Sequence, residues 1–388
     1  MARSLTDMAA PSTASREDER KEAPARGIPV ELYLLIVVAL LSAIGLLMVY
    51  SSSSVVALRK YSDSMYFMRR QMISSVIGFC ALVATACYPY TRYRKLAPAL
   101  LLGILAALAL VLIPAIGVTM NGARRWFRIA GFSLQPAEFA KVIWVIYLSA
   151  FLERKGERVR EFMAGFAPPM FICGVFGMLL LLEPDFGTSL VIGILTTSLL
   201  AVGGVPWLHM MALVPAALAV GYKFVYGSQY RWERIKAFLD PWKDPLDTGY
   251  QLIQSWIAVG SGGFLGKGLG DGQQKLYYLP EPHTDFILAV IGEELGFAGI
   301  FIVIALFVTV CWIGISIAQR ARDQFGGLLA LGMTLMLTIQ AFINMAVVLG
   351  LFPTKGLPLP FVSYGGSAFI ANCMAVGILV NVSRKCVK

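Results

Sequence analysis

Apolar residues run almost without interruption through ten stretches of the chain, roughly 32–56, 71–88, 97–114, 134–152, 166–182, 187–204, 207–226, 286–317, 326–350 and 364–383. A helix needs about 20 mostly apolar residues to cross the hydrocarbon core of a bilayer. Each stretch therefore predicts a spanning helix, and the fold class expected is an all-α polytopic membrane protein with ten transmembrane helices. Only Glu183, Pro184, Asp185 and Phe186 separate the fifth and sixth stretches, and a proline between two acids is a strong helix break. The seventh and eighth are joined by a large loop over 227–285. A connection this long in a compact membrane protein is usually functional. It is rich in Trp and Tyr, as interfacial segments are, and Tyr250 to Val259 predicts a short amphipathic helix at the surface.

Composition agrees with the pattern. The chain is 57% hydrophobic and 14% charged, where a soluble domain carries roughly 25% charged residues. Residues 1–31 are polar and of mixed charge, which predicts a disordered tail. No cleavable signal peptide is visible, so the first span is expected to remain as an anchor. With ten spans both ends lie on one side, residues 385–388 included. That side carries Arg92, Arg94, Lys95, Arg154, Lys155, Arg158, Arg160, Arg320, Arg322, Arg384 and Lys385 besides the basic tail, and the positive-inside rule makes it cytoplasmic. The loop 227–285 is then extracytoplasmic. Topology thus accounts for part of the net charge of +10; no nucleic-acid motif is present and no nucleic-acid partner is expected. Cys80, Cys87, Cys173, Cys311 and Cys373 fall in spans and Cys386 near the end, so no structural disulfide is expected. His209 and His283 are the only histidines, which excludes a histidine-rich metal site.

The polar residues at the outer boundary carry the candidate chemistry. In LPEPHTDFILAVIGEELG, residues 279–296, His283 and Asp285 stand just before a long apolar run. An ionisable residue entering a span suggests a functional site; the alternative is that Asp285 only caps the next helix. Glu138 and Lys141 in QPAEFAK share a helix face, either as a structural ion pair or as a polar patch in a substrate cavity. Arg124, Arg125 and Arg128 flank Trp126 on the outer side, against the charge trend. Guanidinium forks suit phosphate oxygens, with lipid-headgroup anchoring as the alternative. Glu183 and Asp185 in EPDFGT are placed to pair with those arginines. Three prolines and repeated glycines through Lys355, Ser363 and Ser367 predict a broken, re-entrant backbone, tolerated at membrane depth only when buried or lining a cavity. Gly260 to Gly272 does not fit a phosphate loop, since Gly268 follows Lys267 where Ser or Thr is needed; its glycines permit close approach to substrate or to another segment. These residues leave two options: an enzyme acting on a lipid-linked anionic substrate, or a transporter for one.

Taken in order, QPAEFAK at 135–141, EPDFGT at 183–188, HTDF at 283–286 and KGLPLP at 355–360 resemble the SEDS family (shape, elongation, division and sporulation), over roughly residues 32–384. QKLYYLPE at 274–281, IGEELG at 291–296 and TKGLP at 354–358 are similar to its FtsW-type division members. The resemblance implies a peptidoglycan glycosyltransferase of the bacterial inner membrane that polymerises lipid II at the division septum, with Asp285 as the essential catalytic residue. It implies FtsI, a class B penicillin-binding transpeptidase, as partner and FtsQ, FtsL and FtsB as activators. Alternatives are a lipid II flippase and a non-catalytic divisome scaffold. Forming a β-1,4 bond from an α-linked pyrophosphate donor requires inversion, hence one base and cations for the leaving group. Asp285 is the expected base. Arg124, Arg125, Trp126, Arg128, Glu138, Lys141, Asp185, His283, Lys355 and Ser363 are the expected substrate-binding residues. A divalent cation such as Mg2+ could assist, though no ligand spacing demonstrates it.

Overall fold

The computed structural model describes residues 29–120, 122–129, 131–227, 229–247, 249–274, 282–354 and 356–386. The expected N-terminal tail up to residue 28, Lys355, and most of the 274–281 motif lie outside the described residues. Thirteen α-helices are described. They are α1 (Val30–Tyr61), α2 (Tyr66–Cys87), α3 (Tyr90–Val111), α4 (Pro136–Lys155), α5 (Ala167–Leu182), α6 (Phe186–Val202), α7 (Trp207–Met211), α8 (Leu213–Tyr226), α9 (Gln229–Leu239), α10 (Tyr250–Ser261), α11 (Ile287–Gln319), α12 (Gln324–Val348) and α13 (Gly366–Ser383). Among the described residues, seven helical segments are long and apolar enough to cross a membrane: α1, α2, α3, α5 with the turn before it, α11, α12 and α13. The shorter apolar α6 adds to them. The protein is thus a multi-pass helical membrane protein.

Each of the ten apolar stretches coincides with helix, with two internal breaks. The stretch 207–226 divides at Ala212 into α7 and α8, where Pro215 has no N–H to offer the carbonyl of Met211. The stretch 286–317 stays helical by hydrogen bonding but is kinked at Gly296 (φ 68°, ψ −165°).

One element is additional to the helices. Residues 118–134 form a three-stranded antiparallel sheet, β1 (Val118–Met120), β2 (Ala123–Ile129) and β3 (Phe132–Leu134), in that order. Met120 pairs with Ala123 and Ile129 with Phe132, so each connection is two residues long. Gly122 and Gly131 close the two turns at φ 76° and 81°, values that favour glycine. The loop 227–285 is also structured, with α9, a short 3-10 turn and α10. The amphipathic helix expected at 250–259 is α10. It turns Leu252, Ile253, Ser255 and Ala258 inward, and the Ser255 hydroxyl donates to the Val348 carbonyl at 2.8 Å.

The centre of the bundle is built on α4, α12 and α13, where Trp144, Phe325 and Phe369 are fully enclosed. Small residues let backbones approach closely, as in other membrane bundles. A Cβ added to Gly377 of α13 would sit 2.3 Å from the Leu82 carbonyl oxygen of α2. Between α12 and α13 the chain turns back without regular structure. Leu357, Leu359, Phe361, Val362 and Ser363 of this re-entrant segment are buried, which satisfies the condition for irregular backbone at membrane depth.

Candidate active site

The segment His283-Thr284-Asp285-Phe286 is fastened carbonyl by carbonyl to the re-entrant segment and α12. The Tyr364 N–H donates to the His283 carbonyl at 2.9 Å, the Ser363 hydroxyl to the Thr284 carbonyl at 2.5 Å, and the Asn344 amide to the Asp285 carbonyl at 2.8 Å. The same Asn344 nitrogen donates to the Leu357 carbonyl at 2.7 Å. Ser363 also accepts from the Leu359 N–H at 2.8 Å. Three successive carbonyls are therefore fixed, which aims the side chains between them. Phe286 occupies the N-cap position of α11. Its carboxylate faces Gly356, where an added Cβ would lie 3.1 Å from Oδ2. Asp285 is half-buried. Glu138, Glu183, Asp185, Glu293 and Glu294, the other acids of the polar motifs, are all buried. A base must reach its substrate, and of these six carboxylates Asp285 is the accessible one.

An aromatic and cationic wall stands beside it. The His283 ring lies 4.5 Å from that of Phe67 and 5.6 Å from that of Tyr364. The Arg70 guanidinium covers Tyr66 at 5.1 Å from the ring centre and donates to the Gly131 carbonyl at 3.2 Å. Its charge also acts on the Tyr364 side chain. Burial, with Lys60 nearby as the smaller cause, pushes the His283 imidazole down to about 4. It is therefore neutral near pH 7 and supplies no cation. Lys60, Phe67, Arg70, Asn344 and Tyr364 were absent from the sequence-derived set. In the sequence, Arg59, Lys60, Arg69 and Arg70 stand out only as basic residues of the outer side.

Other expected contacts are internal. Lys141 Nζ lies 2.8 Å from Glu138 Oε2, and both side chains are buried. Lys141 also donates to Gln340 Oε1 at 2.5 Å, and the Gln340 amide donates to the Pro358 carbonyl at 2.8 Å. The pair thus supports the re-entrant segment from below rather than facing a cavity. Ser363 holds backbone, as described. Asp185 caps α6, accepting from the Thr188 N–H and hydroxyl at 3.1 and 2.9 Å, and takes a 3.2 Å bond from the Gln135 amide.

The expected pairing of this hairpin's acids with the arginines is corrected: Arg125 bonds the main-chain carbonyls of Glu183 at 2.7 Å and Pro184 at 2.5 Å. Arg124 donates to the Leu112 carbonyl at 3.1 Å. A register shift in the β1–β2 pairing falls between Arg124 and Trp126, and Arg124 and Arg125 bond different elements, the end of α3 and the hairpin at 183–184. Of the three, Arg128 is exposed. The three arginines therefore do not form one cluster, because two of them are taken up by different main-chain carbonyls. Lys355 adjoins Gly356 in sequence but lies outside the described residues. Among those residues no three His, Cys, Asp or Glu side chains converge.

The comparisons with known proteins point the same way. The sequence model of a cell cycle protein family, FtsW/RodA/SpoVE, matches residues 31–388. The chain is 45% identical to a probable peptidoglycan glycosyltransferase FtsW of Geobacter metallireducens, covering 92% of this chain and 95% of that one. It is 42% identical to the stage V sporulation protein E of Bacillus subtilis, over 91% and 97%. Its fold is similar to a chain of a peptidoglycan synthase complex studied for its coordination of polymerisation and crosslinking. The TM-score is 0.75 and the identity 30%, covering 90% of this chain and 96% of that one.

Proposed function

We propose a peptidoglycan glycosyltransferase activity for this chain, which belongs to the FtsW/RodA/SpoVE family of cell cycle proteins, the SEDS family. The observation that carries the reading is Asp285: an accessible carboxylate, fixed by its own carbonyl and those of its two predecessors, beside a cationic and aromatic wall. The substrate is lipid II, an undecaprenyl-pyrophosphate-linked disaccharide-pentapeptide. The 4-hydroxyl oxygen of the acceptor sugar attacks the anomeric carbon of the donor from the face opposite the pyrophosphate. The new C–O bond forms as the bond to pyrophosphate breaks, so configuration inverts. Asp285 takes the hydroxyl proton, and undecaprenyl pyrophosphate leaves with the bonding electrons. Cations that stabilise the developing charge act most strongly where water is excluded. Arg70, Lys60, Arg128 and Lys355 are the candidates. Lys141 and Arg125 hold the scaffold. A divalent ion, where the reaction uses one, would arrive with the substrate's phosphates. The assembly proposed is with a class B penicillin-binding transpeptidase such as FtsI, activated by FtsQ, FtsL and FtsB. Its place is the septal inner membrane, with both termini cytoplasmic.

Purified protein with its transpeptidase partner and lipid II in detergent tests the enzyme, because a transporter has no sides to act between there. Glycan strands should form, and Asp285→Asn should lower the rate by roughly 10²–10⁴, the usual scale for loss of a general base, at parental protein level. An inert preparation that nonetheless moves lipid II across liposomes would establish transport instead.

A further inference from the structure

Two adjacent carboxylates, Glu293 and Glu294, are fully buried in α11, eight and nine residues after Asp285. Buried charges are costly unless paired and hydrogen-bonded, and these are saturated by the glycine-rich segment 262–274. Glu293 accepts from Lys267 Nζ at 2.9 Å, the Gln273 N–H at 2.9 Å and the Gln274 N–H at 3.0 Å. Glu294 accepts from the Gly270 N–H at 3.1 Å and from the Ser51 hydroxyl of α1, 2.7 Å from both oxygens. The kink at Gly296 opens the helix ladder at the same level, and the segment completes it. Lys267 and Gly268 N–H groups bond the Glu293 and Glu294 carbonyls at 3.0 and 3.1 Å, and the Phe297 and Ala298 N–H groups bond the Gly263 and Phe264 carbonyls at 2.9 and 3.1 Å. A Cβ on Gly296 would lie 2.3 Å from the Gly266 nitrogen.

The segment has little apolar anchorage of its own. Phe264, Leu265 and Leu269 are exposed, and a groove of about 520 Å³, lined by Leu47, Tyr50, Ser54 and Asp271 among others, lies between it and α1. Hydrogen bonds to α11 therefore hold it. The segment is a strap: it is tied to α11 at Glu293–Ala298, and the chain then returns to the start of the same helix through His283-Thr284-Asp285.

We propose that Glu293 and Glu294 are positioning residues for Asp285. They fix the strap against the first turns of α11, the helix that Asp285 precedes, while the carbonyl clamp made by Tyr364, Ser363 and Asn344 holds the turn before that helix. The clamp holds the segment from the re-entrant side, and the strap holds the helix that follows it. Loosening the strap leaves substrate contacts in place and lets the carboxylate drift, and a displacement near 1 Å can cost about 10²-fold in rate. The inference rests on Asp285 being the base.

The test uses the full chain with its transpeptidase partner: kcat and KM for lipid II, and hydrogen exchange of residues 262–274, for Glu293→Gln and Glu293→Gln/Glu294→Gln. Expected are faster exchange confined to the strap, kcat lower by about 10- to 100-fold and KM within about twofold. A KM rise with unchanged kcat, or parental kcat with a strap that exchanges freely, would overturn the proposal, as would unchanged exchange in the double variant. Lys267→Gln removes one donor at the partly exposed end of the bond and serves where the glutamate variants fail to insert; a smaller loss of kcat in the same direction is expected, and parental kcat with faster strap exchange counts against the proposal. Asp285→Asn run alongside separates the premises. A parental rate there removes the base reading, whereas an inactive Asp285→Asn with fully active strap variants removes the positioning role alone.

Discussion

Carboxylates of one chemical type play different parts here because their surroundings differ. Asp285 is half-buried and fixed through backbone, whereas Asp185 is a helix cap. Glu183, two residues away and outside the spanning helices, is fully buried, and neither of its oxygens finds a hydrogen-bond partner among the described residues. Burial first, and Asp185 second, push its carboxyl up to about 8, against a smaller opposing pull from Arg125. The sign of the consequence follows from linkage. In the unfolded chain a Glu titrates near 4.3, so between that value and about 8 the folded state holds a proton that the unfolded state has lost. Stability is full below the window and falls as pH rises through it. Glu183→Gln cannot ionise and should escape that fall. Thermal unfolding in detergent should show the variant gaining on the parent between pH 5 and pH 9. Parallel midpoints across that range would mean that Glu183 is already charged in the folded state.

At the scale of elements, α4 shows how a polar pair serves a site it does not enter. Removing one member of a buried pair often costs about 3–5 kcal/mol, because the other charge is left uncompensated. The exchange Glu138→Lys with Lys141→Glu keeps the pair but reverses what faces Gln340. Its amide must then turn to donate to the carboxylate, abandoning the Pro358 carbonyl that it now holds. Most of the lost stability should return in the double variant while polymerisation stays well below the parental rate. Thermal midpoint and glycan yield, measured on the same preparations, separate the two; full recovery of both would show that the Gln340–Pro358 link is dispensable. The β1–β3 sheet belongs to the same scale. Asn121-Gly122 is a hairpin signal of the strongest short kind, and it stands directly before the strand that carries the three arginines.

For the whole molecule, the distribution of basic residues predicts which end of the bundle meets the outside. Phe132 on the small sheet and Arg160 in the connection between α4 and α5 are both exposed and belong to opposite sides in that topology. In a cysteine-free background, Phe132→Cys should react with a membrane-impermeant maleimide on intact cells and Arg160→Cys only after permeabilisation. The reverse pattern would invert the orientation and move Asp285 to the cytoplasmic side.

The apolar helices and the motifs were legible in the sequence because their signals are local: a run of apolar side chains, a proline between two acids, an acid at the start of an apolar run. The amphipathic α10 was legible for the same reason. What tertiary structure alone decided is which groups meet. Nothing local places Asn344 under Asp285, Arg70 against Tyr364, or Gln340 between Lys141 and Pro358, since these partners lie 59, 294, 199 and 18 residues apart. The turn of Ser363 toward backbone and the separation of Arg125 from Arg124 are likewise invisible in composition. The kink at Gly296 leaves hydropathy unchanged and exists because a distant strap supplies the hydrogen bonds that the helix gives up. Local free energies set the elements. The need of buried charges and open carbonyls for partners set much of their arrangement, and those partners come together only across the folded bundle.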